Sequence, residues 1–170
     1  SAIAVTMEGT RPLLVEIQGL TSHSSLSNPR RTPNGIEINR LLMISAVLTR
    51  RLGLHLGEQD VFVNVIGGMR INEPAADLAV AASITSSMRD VSVRADTVLI
   101  GEVGLSGELR MVGQMATRLR EASKLGFRSA IIPHRIRKTG EPWPDGIQVS
   151  EARSLREALN LALLKTDAEA

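Results

Sequence analysis

Between Pro74 and Met88 the chain carries Ala75, Ala76, Leu78, Ala79, Val80, Ala81, Ala82 and Ile84, a series that leaves little polar face for a surface helix. An amphipathic helix hides one stripe and wets the other, whereas a helix apolar on most sides has to be covered on most sides. The segment therefore predicts a central, buried helix, packed closely by its neighbours because alanines carry little bulk. Such a helix requires a layered domain, and 170 residues suffice for one with a real core. With two Phe, one Trp and no Tyr, that core has to be built from Leu, Ile, Val, Ala and Met. The same shortage argues against a single-strand platform, which stacks bases on several aromatic faces.

The remaining elements follow from periodicity and turn residues. Ile3–Glu8 and Leu13–Thr21 read as strands around a Gly9-Thr10-Arg11-Pro12 turn. Ser22–Gly35 is polar and reads as a long exposed loop. Asn39–Leu52 repeats Leu41, Ile44, Leu48 and Leu52 at helical spacing and stops at Gly53. Arg40 and Arg51 fall on nearly one face of it. Asp60–Ile66 is a strand, followed by Gly67-Gly68 and the alanine-rich helix, which starts near Pro74. Thr97–Val103 and Glu108–Val112 read as strands, Met115–Leu125 as an amphipathic helix, and Arg128–Pro133 as a short strand. Gly140–Asp145 is a Pro-rich loop. Ser154-Leu155-Arg156-Glu157 is a capping box for a last helix to about Leu164. One domain over 1–165 and a frayed tail over Thr166–Ala170 complete the expected layout.

Charge is unevenly spread. Residues 1–140 hold 17 Lys and Arg against 12 Asp and Glu, and residues 141–170 hold 3 against 6. Arginine outnumbers lysine 17 to 3; this suits bidentate phosphate contacts, and a GC-rich genome produces the same bias. The chain has no cysteine, which rules out disulfides and Cys-type metal sites and is compatible with the cytoplasm. No apolar run approaches the roughly 18 residues that span a bilayer. Because Ser1-Ala2-Ile3 already reads as strand, the sequence is expected to be part of a longer protein.

Most catalytic motifs are missing. Gly67-Gly68-Met69-Arg70 has neither the spacing nor the lysine of a phosphate-binding loop. Gly101, Gly104 and Gly107 are turn residues rather than a dinucleotide fingerprint. His23, His55 and His134 share no ligand spacing. Ser83, Ser86 and Ser87 could act as nucleophiles only beside a desolvated lysine, and Lys124 is the candidate.

The run Glu73-Pro74-Ala75-Ala76-Asp77 resembles the proteolytic domain of the ATP-dependent Lon proteases, where a Gly-Pro-Ser-Ala-Gly context carries the catalytic serine. Pro74 and Ala76 match, Ala75 replaces the serine, and Arg118 falls where that family keeps its dyad lysine. The likeness spans roughly 60–164 and includes Ala95-Asp96, Gly101-Glu102-Val103, Leu105-x-Gly107 and Ile131-Ile132-Pro133. It implies an α/β sandwich with a mixed sheet, related to the second domain of ribosomal protein S5. It also implies a degenerate dyad and hence no catalytic residue. Guanidinium stays protonated, so Arg118 cannot serve as the general base a serine would need. Two roles are open to it: a structural ion pair, with Asp77 or Glu102 as the expected partner, or a phosphate contact.

A closer resemblance is to the bacterial RadA (Sms) family. It is carried by the run from Val5 through Thr10-Arg11-Pro12 to Gln18, and by Pro29-Arg30-Arg31-Thr32 and Asn39-Arg40-Leu41. Gly67-Gly68-Met69-Arg70-Ile71 and Glu73-Pro74-Ala75-Ala76-Asp77-Leu78-Ala79 extend it. Membership implies a ring-forming, non-proteolytic domain of a hexameric DNA repair and recombination ATPase that extends DNA branches. ATP, magnesium and zinc would bind in domains upstream of this segment, which itself implies no cofactor or metal. The expected partners are DNA, held without sequence preference, and further copies of the chain, with no membrane. Phosphate contacts need several cations on one surface. Arg11, Arg30, Arg31, Arg70 and Arg110, in turns and loops, are the candidates, each open also to being a solvated charge or an interface ion pair. A residual peptidase and a scaffold without DNA contact are the competing readings.

Overall fold

The computed structural model describes residues 1–135 and 142–165. Alternating side chains in β1 (Ala2–Glu8) and β2 (Arg11–His23) fold these segments into a hairpin, with Glu8 opposite Arg11. Then come β3 (Arg31–Asn34), α1 (Ile38–Leu52) and β4 (Gln59–Val65). A 3-10 turn, Pro74–Ala76, leads into α2 (Asp77–Arg89). The second half comprises β5 (Thr97–Leu99), β6 (Glu102–Val103), β7 (Leu109–Arg110), α3 (Met115–Lys124), β8 (Ser129–Pro133), β9 (Gln148–Ala152) and α4 (Leu155–Ala162).

Seven strands form one sheet in the order β3-β4-β2-β1-β5-β8-β9, and β6-β7 make a separate ribbon. Only β2 is antiparallel to its neighbours; the other six strands of the sheet run the same way. Alternation along the strands supplies two cores. Leu99 and Ile131 face one side, with Val15, Ile17, Val61 and Val63, and meet α1, α2 and α4. Val98, Ile100, Ala130 and Ile132 face the other, under Met115, Leu119 and Ala122 of α3. The fold is thus a mixed α/β domain with helices on both faces. The outer side of β4 and the far part of β2 lies beyond α3, and Leu20 is 57% exposed there.

Every residue of α2 from Asp77 to Thr85 is buried, as its composition demands. Its close approach to β2 depends on Gly19, where a Cβ would lie 2.7 Å from the backbone of Ser83.

Several expectations are corrected. The Ser22–Gly35 stretch is not one loop: β2 runs on to His23, and Arg31–Asn34 form an edge strand parallel to β4. Pairing with a distant partner makes a strand of Arg-Thr-Pro-Asn, which has no apolar alternation of its own. Thr97–Val103 divides into β5 and β6 because the chain leaves the sheet at Ile100-Gly101 to meet Ala75 and Leu78. Of Glu108–Val112, only Leu109–Arg110 is strand, and β9 carries too few apolar residues to have stood out. The alanine-rich segment begins with a tighter turn before becoming α-helical. Most of the Gly140–Asp145 loop is described, but its first two residues and the Thr166–Ala170 tail lie outside the described residues.

Candidate functional site: two ion pairs around Ala75

The segment Glu73–Asp77 crosses the carboxyl end of β1 and β5, between the two helical layers. Pro74 fits the first turn, where its missing N–H costs no hydrogen bond. Ala75 is 1% exposed and its carbonyl accepts from the Gly101 N–H at 2.9 Å, while the Leu78 N–H donates to the Gly101 carbonyl at 3.1 Å. The Ala75 methyl group therefore sits in a seat closed by backbone bonds.

On one side lies Arg118, projecting from α3 and only 3% exposed. Its Nη1 donates to Glu73 Oε1 at 2.5 Å and to the Val5 carbonyl at 2.8 Å. Nη2 donates to Glu73 Oε2 at 3.0 Å, and Nε to the Gly113 carbonyl at 3.0 Å. Glu73 also accepts from the Met7 N–H and the Thr6 hydroxyl. Burial raises the Glu73 carboxyl, but Arg118, the Met7 N–H and Thr6 outweigh it and hold the group below its ordinary value.

On the other side Asp77 turns toward α1. Arg40 binds it through Nε and Nη2, and the Val103 N–H donates to its Oδ2 at 3.1 Å. Here burial wins: with Glu102 adding repulsion, the carboxyl is pushed up to about 6 in spite of Arg40. Beside this pair, between α1 and the 72–77 stretch, is a cavity of about 70 Å³. It has room for a few waters and none for a peptide substrate.

Arg118 therefore makes an ion pair, but not with either expected partner. Asp77 is occupied by Arg40, which reaches it from the opposite helical layer, and Glu73 is the residue that faces α3. Almost fully buried, with four internal hydrogen bonds, the guanidinium is not presented to an outside phosphate. Of the alternative serines, Ser83 bonds the Val80 carbonyl, Ser86 the Val91 carbonyl and Ser87 the Thr21 backbone. Lys124 bonds none of them and is exposed. Among the described residues no cluster of three or more His, Asp or Glu could hold a metal ion, and no helix is long and apolar enough to cross a membrane.

The five candidate arginines divide between the two ends of the sheet. Arg11 is exposed at the start of β2, and Arg70 is exposed beside Ile71, whose N–H reaches the Gly35 carbonyl past the end of β3. Arg110 is exposed on β7 and pairs with Glu108 at 3.2 Å. These three belong to the carboxyl end of the parallel strands. Arg30 and Arg31 belong to the other: Arg31 is level with Val61 and Thr21, ten residues along β2 from Arg11, or roughly 33 Å. Arg31 is moreover tied down, donating to the Gln59 and Leu56 carbonyls, and burial pulls its guanidinium below the usual range. Arg30 stays largely exposed beside Asp60.

Around the β6-β7 ribbon the fold also gathers arginines that sequence reasoning did not select. The Arg51 Nε bonds the Leu105 carbonyl, Arg156 reaches the Arg51 carbonyl at 2.8 Å, and Arg153 lies 3.2 Å from His134. With Arg110 they are four exposed cations on one small surface. The helical face of Arg51 was legible; Arg153 and Arg156 lie in the net-acidic tail region, where nothing drew attention to them.

A family model described as subunit ChlI of Mg-chelatase matches residues 39–136. DNA repair protein RadA of Escherichia coli (strain K12) is 47% identical over 161 residues, 95% of this chain and 35% of that protein. RadA of Bacillus subtilis (strain 168) is 47% identical over 163 residues, 96% of this chain and 35% of the relative. For RadA of Brucella abortus (strain 2308) the identity is 50% over 145 residues, 85% and 30% of the two chains. The chain thus spans about a third of the length of the curated relatives it matches. The chain belongs to the family described as subunit ChlI of Mg-chelatase, and its resemblance to RadA is borne out by DNA repair proteins of that name from diverse bacteria.

Proposed function

We propose that this chain is a non-proteolytic, Lon-like assembly domain of a DNA repair ATPase, serving to build a ring and to hold DNA without reading its sequence. The observation that carries the reading is the pair of ties at Glu73 and Asp77. A segment that in a peptidase would present a nucleophile here spends both of its carboxylates on joining α3 and α1. Ala75 offers no hydroxyl, and Arg118 no free base, for hydrolysis. The parent protein, on this reading, is a hexameric motor that extends DNA branches in the cytoplasm, with ATP, magnesium and zinc bound outside this segment. Residues 1–165 form the domain, with a fold of the Lon proteolytic and ribosomal S5 second-domain type.

DNA contact falls to the exposed cations at the carboxyl end of the sheet: Arg11, Arg70 and Arg110, joined by Arg51, Arg153 and Arg156. Arg30 sits apart from them and Arg31 is engaged by carbonyls, so both contribute less. Phosphate contacts add weakly and are weakened by salt, and repetition round a ring raises the total. Gel shift of a duplex at two salt concentrations tests this. Arg11→Ala with Arg110→Ala is expected to weaken binding and flatten its salt slope; unchanged affinity and slope leave a scaffold that does not touch DNA. A casein digest separates both readings from a residual peptidase.

A further inference from the structure

On the helix-covered face of β5, β8 and β9, α4 covers only the carboxyl half, leaving a groove of about 1120 Å³ over the strand starts. Its floor is a row of polar side chains in direct register, with Thr97 beside Ser129 and Ser129 beside Gln148. Two strand spacings make the row roughly 10 Å wide, enough for one extended chain and too narrow for a duplex. The rim is cationic: Arg89 from the last turn of α2, Arg94 from the following loop and Lys165 beyond α4. The Arg94 Nε is fixed on the Leu161 carbonyl at 2.8 Å, so its charge has a defined position. Arg89, Lys165, Ser129 and Gln148 bond to no side chain or ion-pair partner among the described residues. Glu157 is the one acid among the lining residues. Leu161 and Leu164, 38% and 42% exposed, form an apolar lip.

We propose that this groove binds an extended acidic peptide segment of a partner protein, with acidic side chains meeting Arg89, Arg94 and Lys165 and apolar ones covering Leu161 and Leu164. A phosphate backbone fits it less well. It has no use for the leucine lip, and no aromatic ring lines the groove to stack a base. The groove opens at the amino end of the strands, whereas the Arg110 cluster lies at the carboxyl end, so the two surfaces are separable by mutation.

The test is fluorescence anisotropy of a labelled ten-residue peptide alternating Glu and Leu, titrated with the protein. Saturable binding is expected, weakened about tenfold by Arg89→Glu with Lys165→Glu, since each lost contact becomes a repulsion. A Lys-Leu peptide is expected not to bind. Ser129→Trp, which fills the floor, is a second variant, and an unchanged Tm verifies that each variant is folded. Failure of the Glu-Leu peptide to bind overturns the proposal, as does binding indifferent to the charge reversals. A single-stranded oligonucleotide that binds more tightly through the same residues also overturns it. Failure of the duplex gel shift leaves this result untouched, because the two experiments probe opposite ends of the sheet.

Discussion

The two ties on either side of Ala75 use the same chemistry and behave oppositely. Arg118 and Glu73 are saturated: the guanidinium is almost fully buried, and the carboxylate has backbone and hydroxyl donors besides its arginine. Arg40 and Asp77 are less complete. Arg40 keeps a third of its side chain in solvent, and Asp77, nearly buried, has a single N–H to add to it. Desolvation raises both carboxyls, but it weighs less on Glu73, whose side chain is 24% exposed against 4% for Asp77. Glu73 also has more donors to offset it and no Glu102 beside it. At Glu73 it is offset, so the carboxyl lies below its ordinary value; at Asp77 it is not, so the carboxyl lies above.

The largest expected effect comes from the saturated side. Arg118→Ala leaves Glu73 without its cation and opens the base of α3, at about 3–5 kcal/mol. Thermal unfolding is then expected on the order of 10 °C lower. An unchanged Tm with lost DNA binding would mean that Arg118 serves phosphate after all.

Next is the pH response. Asp77 titrates near 6 when folded and near 4 when unfolded, so between those values the native state binds the extra proton. Its stabilising contribution is complete below about pH 4 and is lost as pH rises through 6. The parent, measured against Asp77→Asn by denaturant titration, should accordingly lose on the order of 2 kcal/mol between pH 4 and pH 7. Glu73 has the opposite sign: its contribution is present above the ordinary carboxylate value and is lost as pH falls through the folded one. A gap between parent and Asp77→Asn that does not change with pH would erase the contrast between the ties.

Arg40→Ala ranks third, at about 1–2 kcal/mol, because Asp77 can take up a proton and Arg40 already touches solvent. A loss equal to that of Arg118→Ala would show that the two ties are equivalent. The smallest effect is expected of Ala75→Ser combined with Arg118→Lys. No casein cleavage is expected, since Glu73 would keep the new lysine charged. Hydrolysis by this variant would show that only two side chains separate the site from a working peptidase.

What the sequence made legible was set by local pattern. The helices α1 and α3 carry their own periodicity, α2 its nearly unbroken apolar run, and the Ser154 cap holds the Glu157 N–H while the Glu157 carboxylate reaches the Arg153 N–H. The strands β3 and β9 do not; they exist because β4 and β8 pair with them, and no local pattern records a distant partner. The site divides in the same way. Burial of Ala75 and charge compensation of Arg118 followed from residue type. That Glu73 rather than Asp77 faces α3 depended on the turn at Pro74–Ala76, whose direction is a property of the packed layers. Arg31 shows the limit most plainly, for a loop cation by composition proved to be a clasp on two carbonyls.

The lone reversed strand, β2, bears on how the molecule is made. β1 and β2 meet across a two-residue turn, so their ladder needs almost no loop closure, whereas β1 finds β5 only across more than ninety residues. The hairpin is therefore the sheet's natural first-formed piece, and the parallel strands on either side wait for their crossovers to fold. Mutations that loosen the Gly9–Thr10 turn should slow refolding, while those in β8 or β9 should chiefly speed unfolding.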